Sequence, residues 1–159
     1  MKTLNASCLW MFSVIATGLL GSACNAPAGG GGGSTTWIMQ SSTCNGAPIM
    51  SGAVTTDLVI NGASASVIGT LADGCIITAS ATATYPDSAT IAMAPPTTPS
   101  TCGSACSGAE VKDSCTTVSG GTSETGVISN NGNTLTFTGP SPCNGGNGGA
   151  TEVDTFTKQ

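Results

Sequence analysis

The chain has no histidine and no arginine, and its only cations are Lys2, Lys112 and Lys158. Without histidine there is no Ser/His/Asp or Cys/His nucleophilic machinery and no imidazole to hold a metal. The cations form no patch, and acidic side chains outnumber them by eight to three. Such a surface repels phosphate backbones, which excludes a nucleic-acid partner. It repels anionic headgroups too, so any attachment to a membrane has to come from lipid. Long apolar runs are also scarce. The longest, Leu9 to Leu20, is shorter than the ~20 residues that a ~30 Å hydrocarbon core requires. Aromatics are few as well: past that run only Trp37, Tyr85, Phe137 and Phe156 occur. A core built from the remaining Ala, Val and Thr is thin, because apolar burial yields only ~25 cal/mol per Å².

What is present divides the chain into an address, a leash and a cargo. Lys2 precedes the apolar run, and Gly21-Ser22-Ala23 follows it. One positive charge, a short apolar stretch and small residues make a secretory signal peptide over residues 1–23. Gly29 to Gly33 then form a glycine run, which has no side chain to bury and acts as a flexible tether over 24–34. Residues 35–159 are long enough for one domain with a single core. With the signal removed, Lys112 and Lys158 face eight carboxylates.

Leu20-Gly21-Ser22-Ala23-Cys24 resembles the lipobox of bacterial lipoproteins, with small residues ahead of the cysteine. Here the aliphatic residue stands one place further upstream, with Gly21 in its usual position. The resemblance implies diacylglycerol and palmitate-type acylation at Cys24, which becomes the mature N-terminus. Two or more acyl chains anchor stably where one binds only marginally. Asn25 is not the aspartate that the family uses for inner-membrane retention, which implies the outer membrane, facing the periplasm or the cell surface. Plain cleavage after Ala23 by the ordinary signal peptidase is the alternative.

Cys44, Cys75, Cys102, Cys106, Cys115 and Cys143 remain once Cys8 leaves with the signal and Cys24 is lipidated. Their number is even and export is oxidising, so three disulfides are expected, at ~2–4 kcal/mol each. Fifteen connectivities stay open. Cys102, Cys106 and Cys115 also have a spacing suited to thiolate metal ligation, but exported thiolates oxidise, and no metal or other cofactor is expected.

The domain reads as strands throughout. Expected strands are Thr35–Ser42, Thr55–Ile60, Ser64–Leu71, Cys75–Tyr85, Ala89–Met93, Glu124–Ser129, Asn133–Thr138 and Thr151–Lys158. Asn61-Gly62, Asp73-Gly74 and Asn131-Gly132 are hairpin signals, because these residues tolerate positive φ. From Ile77 to Tyr85 apolar or aromatic residues alternate with Thr and Ser, a period no helix produces. Pro95-Pro96 and Pro99 open a loop to Gly121 that holds three cysteines, with a helical turn near 109–113. The last strand fits badly, since Val153 and Phe156 fall on opposite faces unless a bulge intervenes.

Seven or eight short strands make an all-β antiparallel meander, which hides its edges as a closed barrel or, alternatively, a sandwich. Thr36-Trp37, Gly132-Asn133-Thr134-Leu135-Thr136 and Thr155-Phe156-Thr157-Lys158 resemble the small lipocalin-like domains of bacterial lipoproteins. That resemblance implies an eight-stranded barrel whose mouth takes a small apolar ligand, with no contact residue carried over. Trp37 and Tyr85 are the candidates to line such a cavity, although a lone large aromatic more often plugs the core. Glu152 and Asp154 share a strand face and form the pair that acid/base chemistry would need. Acidic residues so spaced are more often simply solvated. The expectation is therefore a lipid-anchored envelope protein, structural or interacting with another envelope protein, and not an enzyme. The alternative is a barrel that binds a small hydrophobic molecule.

Overall fold

Alternating small polar and apolar residues build ten strands in the computed structural model, which describes residues 34–49, 53–108, 111–112, 115–118, 123–141 and 150–159. The expected signal segment, Cys24, most of the tether and Cys143 lie outside these residues. The strands are β1 (Thr35–Cys44), β2 (Ala47–Pro48), β3 (Ala53–Asn61), β4 (Ser64–Leu71), β5 (Ile76–Asp87), β6 (Thr90–Ala94), β7 (Thr101–Cys102), β8 (Glu124–Ser129), β9 (Thr134–Ser141) and β10 (Ala150–Lys158). Eight of them pair antiparallel in chain order, and β10 pairs back onto β1, which closes the circle. Closure leaves no free edge among these eight strands. The short strands β2 and β7 lie off the circle, on β1 and β5 respectively.

The turn chemistry explains the meander. Gly62, Gly74 and Gly132 adopt positive φ at three hairpins, and Asn130 and Asn131 precede Gly132 in the left-handed region. A fourth turn of this kind, Asn45-Gly46, corrects the expected break after Ser42: β1 runs on to Cys44 and folds back at once into β2. The side chain of Asn45 accepts a hydrogen bond from the Thr151 amide at 2.8 Å, and its own amide donates to the Thr151 carbonyl at 2.8 Å. That clasp fixes the start of β10 beside the end of β1.

Three register shifts shape the wall, one of them between Ala53 and Thr55 where β3 meets β4. Between Met39 and Ser41 the β1–β10 ladder shifts register, so Gln40 is an extra residue in β1. The face problem of the last strand is therefore resolved on its neighbour: β10 pairs with β9 without a break, Val153 turns outward, and Phe156 turns in. The third shift lies at Tyr85-Pro86, opposite β6. There β5 continues to Asp87 rather than turning at Pro86, and proline's missing amide falls where the ladder is already interrupted.

The core occupies the end of the barrel where the chain leaves β10. Trp37, Leu58, Ile60, Ala65, Ala83, Ile91, Met93, Leu135, Phe137 and Phe156 pack together there, with Ile128 against them. Every strand of the circle contributes. Phe137 and Phe156 meet edge to face at 6.0 Å, the arrangement ring quadrupoles favour. Gly126 makes room for this layer. A methyl group at that position would come within 2.7 Å of both Leu135 Cδ1 and Phe137 Cε1.

A second, smaller cluster forms where the long loop crosses β4 and β5. Cys75 bonds to Cys106 and Cys102 to Cys115, with Cα atoms 4.6 and 5.9 Å apart. Leu71, Ile77 and Val111 pack around these bridges. The proline-rich run does not end ladder formation: β7 returns to pair Cys102 with Ile77. Val111 and Lys112 are helical, and the Lys112 amide donates to the Gly108 carbonyl at 3.0 Å.

Candidate functional site

β10 alternates as a half-buried strand must, so the face that carries Phe156 also carries Asp154, Glu152 and Ala150. Phe156 is anchored in the core, and the period of two takes Asp154 indoors with it. Asp154 is only 6% exposed. The acidic pair on this strand is thus not a solvated face, which corrects the expectation from sequence. The hydrophobic cost of exposing Phe156 settles which way the strand turns, and the carboxylates follow.

The neighbouring strands supply little to answer them. Across β1, Ser42 stands opposite Asp154 and Cys44 opposite Glu152; across β9 the partners are Phe137 and Gly139. The Ser42 hydroxyl donates to Glu152 Oε1 at 3.3 Å. Glu124 enters from β8, on the inward face it shares with Gly126 and Ile128. Asp154 Oδ1 is buried and finds no hydrogen-bond partner among the described residues.

Electrostatics follow from this crowding. Glu124 is pushed up to about 8, first by burial and then by the charges of Asp154 and Glu152. Asp154 is pushed up to about 6 by burial and by Glu152, with the Ser42 hydroxyl pulling the other way. No cation figures among the causes of either shift. Burial first, and then mutual repulsion, makes each carboxyl hold its proton to a higher pH than in water.

The same end of the barrel has room. Gly69 on β4 and Gly139 on β9 both continue the inward alternation, after Val67 and Phe137 respectively. A Cβ at either would meet nothing within 4 Å. Gly126, in the packed half, is the opposite case.

The chain matches no family model, no curated protein and no solved structure. Among the described residues no group of three His, Cys, Asp or Glu side chains is placed to hold a metal. No helix among them is long and apolar enough to cross a membrane.

The residues singled out from sequence fall elsewhere. Trp37 is 4% exposed within the core and pairs with Leu58 and Lys158, away from the carboxylates. Tyr85 is 42% exposed beside the bulge that closes β5, and burial of part of its ring raises its hydroxyl pKa. Five cysteines lie among the described residues, all disulfide-bonded, and the partner of Cys44 lies outside them. Glu124 was missed as a site residue. The signal was available: Glu124, Gly126 and Ile128 alternate with Thr125 and Val127, and only the first three face a core.

Proposed function

We propose that the chain is an exported envelope protein, held to the outer membrane by lipid at Cys24, that works by interaction rather than catalysis. The observation that carries this reading is the core, to which every strand of the circle contributes a side chain. An eight-stranded barrel is only just wide enough for its own side chains to fill. One half of it therefore acts as a rigid plug that presents the outer wall, the stapled loop and the opposite mouth. The disulfide-bonded cysteines support an oxidising compartment, and the even set of six is what remains if Cys24 carries lipid. The closed meander, each strand pairing with the next, is the architecture of the lipocalin-like domains that the sequence resembles.

Intact mass of the protein purified from membranes tests the reading. The expected species starts at Cys24, carries two or three acyl chains and lacks the hydrogens of three disulfides. A species that starts elsewhere without lipid sinks the anchor, and free thiols sink the compartment.

A second reading, that the barrel holds a small molecule, is favoured by the inward-facing glycines at the carboxylate end. Space at Gly69 and Gly139 beside a buried, unpartnered acceptor suits an occupant that is not wholly apolar.

A further inference from the structure

We propose that the open half of the barrel is a site for a small ammonium compound, with its charged head against Asp154, Glu152 and Glu124 and its body in the space beside Gly69 and Gly139. This inference rests on the second reading above and gives its ligand a chemical class. Asp154 is 6% exposed, faces the interior, and has an oxygen with no donor among the described residues. A buried acceptor of this kind is rarely left without a partner. The described residues offer it no cation. β1, β6 and β9 carry no charged residue, and β8 and β10 face the site only with carboxylates. The two lysines of the folded part stand elsewhere: Lys158 is opposite Trp37 at the packed end, and Lys112 is exposed on the stapled loop.

The chemistry narrows the occupant. A protonated amine brings three donors and no acceptor, and three carboxyl groups converge here from two strands. A hard divalent cation wants six or more oxygens in a compact shell, and the described residues provide no such group. A wholly apolar occupant leaves the Asp154 oxygen as it is. An anion is repelled. The acidic surface of the domain also raises the local concentration of small cations at its mouth.

Binding is then coupled to protons. An ammonium group beside these carboxyls favours their charged forms, so it displaces protons that Asp154 and Glu124 otherwise hold to about 6 and about 8. Affinity rises with pH across that interval. The groups facing Asp154 are Glu152 on its own strand and Glu124 from β8; among the described residues β1 and β9 present none that titrate.

Calorimetry on the full mature protein in detergent tests the assignment, with ethylammonium, butylammonium and phenethylammonium against ethanol, butanol and 2-phenylethanol. At least one ammonium probe is expected to saturate with release of protons to the buffer, its neutral counterpart binding far more weakly. Asp154→Asn is expected to weaken the ammonium about thirtyfold or more, as loss of one member of a buried charge pair does. Equal binding of ammonium and neutral probes overturns the ammonium assignment and leaves the small-molecule reading standing. Failure of every probe overturns both, and saturation by calcium in place of the amines overturns the assignment. Because Asp154→Asn can perturb folding, a second measurement uses the unaltered protein. The side-chain carboxyl resonance of Asp154 should move to its ionised position when the ammonium is added at pH 5.5, and an unmoved resonance overturns the proposal.

Discussion

Ser42 and Asp154 are register partners across the seam that closes the barrel, and both face its interior. The extra residue Gln40 in β1 makes them so. Without that bulge Ser41 would stand opposite Asp154 on the inner face, and Ser42 and Cys44 would turn outward. A single inserted residue thus decides which serine faces the buried carboxyl and brings Cys44 to the inner face.

Stability should fall as pH rises from acid to mildly alkaline. Folding raises Asp154 from 3.8 to about 6 and Glu124 from 4.5 to about 8. A carboxyl raised by folding binds its proton more tightly in the folded state. Its contribution is complete below the unfolded value and lost as pH passes the folded one. Thermal midpoints should therefore drop steadily between pH 4 and pH 8, with burial the main cause of both shifts. Glu124→Gln should flatten the upper part of that decline. A midpoint that rises steadily over the same range contradicts the burial of both groups.

Gly126→Ala should destabilise the domain. The added methyl would meet Leu135 and Phe137 at 2.7 Å, and both belong to the packed layer. Overpacking of this kind costs about 1–3 kcal/mol. Urea titration followed by tryptophan emission reads it directly, because Trp37 is the sole tryptophan past the expected signal segment. Gly139→Ala, where nothing lies within 4 Å, serves as the contrast and should cost less than half as much.

Trp37→Ala should be among the most damaging single changes. The ring is 4% exposed and packs with residues from the rest of the circle, so truncation leaves a cavity that costs about 3–5 kcal/mol. A loss under ~1 kcal/mol in denaturant unfolding would mean that the ring does not plug the core.

Disulfide mapping without reduction should join the peptide of Cys75 to that of Cys106, and Cys102 to Cys115. Cys44 is bonded outside this set, and Cys143 is the expected partner on the proposal that Cys8 leaves with a signal peptide and Cys24 carries lipid. Replacing Cys75 and Cys106 together by alanine should lower stability by about 2–5 kcal/mol. A Cys44 peptide linked to Cys24 would disprove the lipidated terminus as well as the pairing.

Local chemistry made much of this protein legible in its sequence. Asn-Gly and Asp-Gly pairs set the hairpins, alternation from Ile77 to Ala83 set an inward face, and the even cysteine set anticipated the bridges seen at Cys75 and Cys102. These signals work because turn geometry and strand period act within a few residues of one another. Which face of β10 turns inward was decided at longer range: Phe156 had to reach Leu135 and Phe137, and Asp154 was carried in with it. Closure of β10 on β1 and the bulge at Gln40 belong to the same class. They depend on residues more than a hundred positions apart, whose distance no local pattern encodes, and only the folded circle brings them within reach.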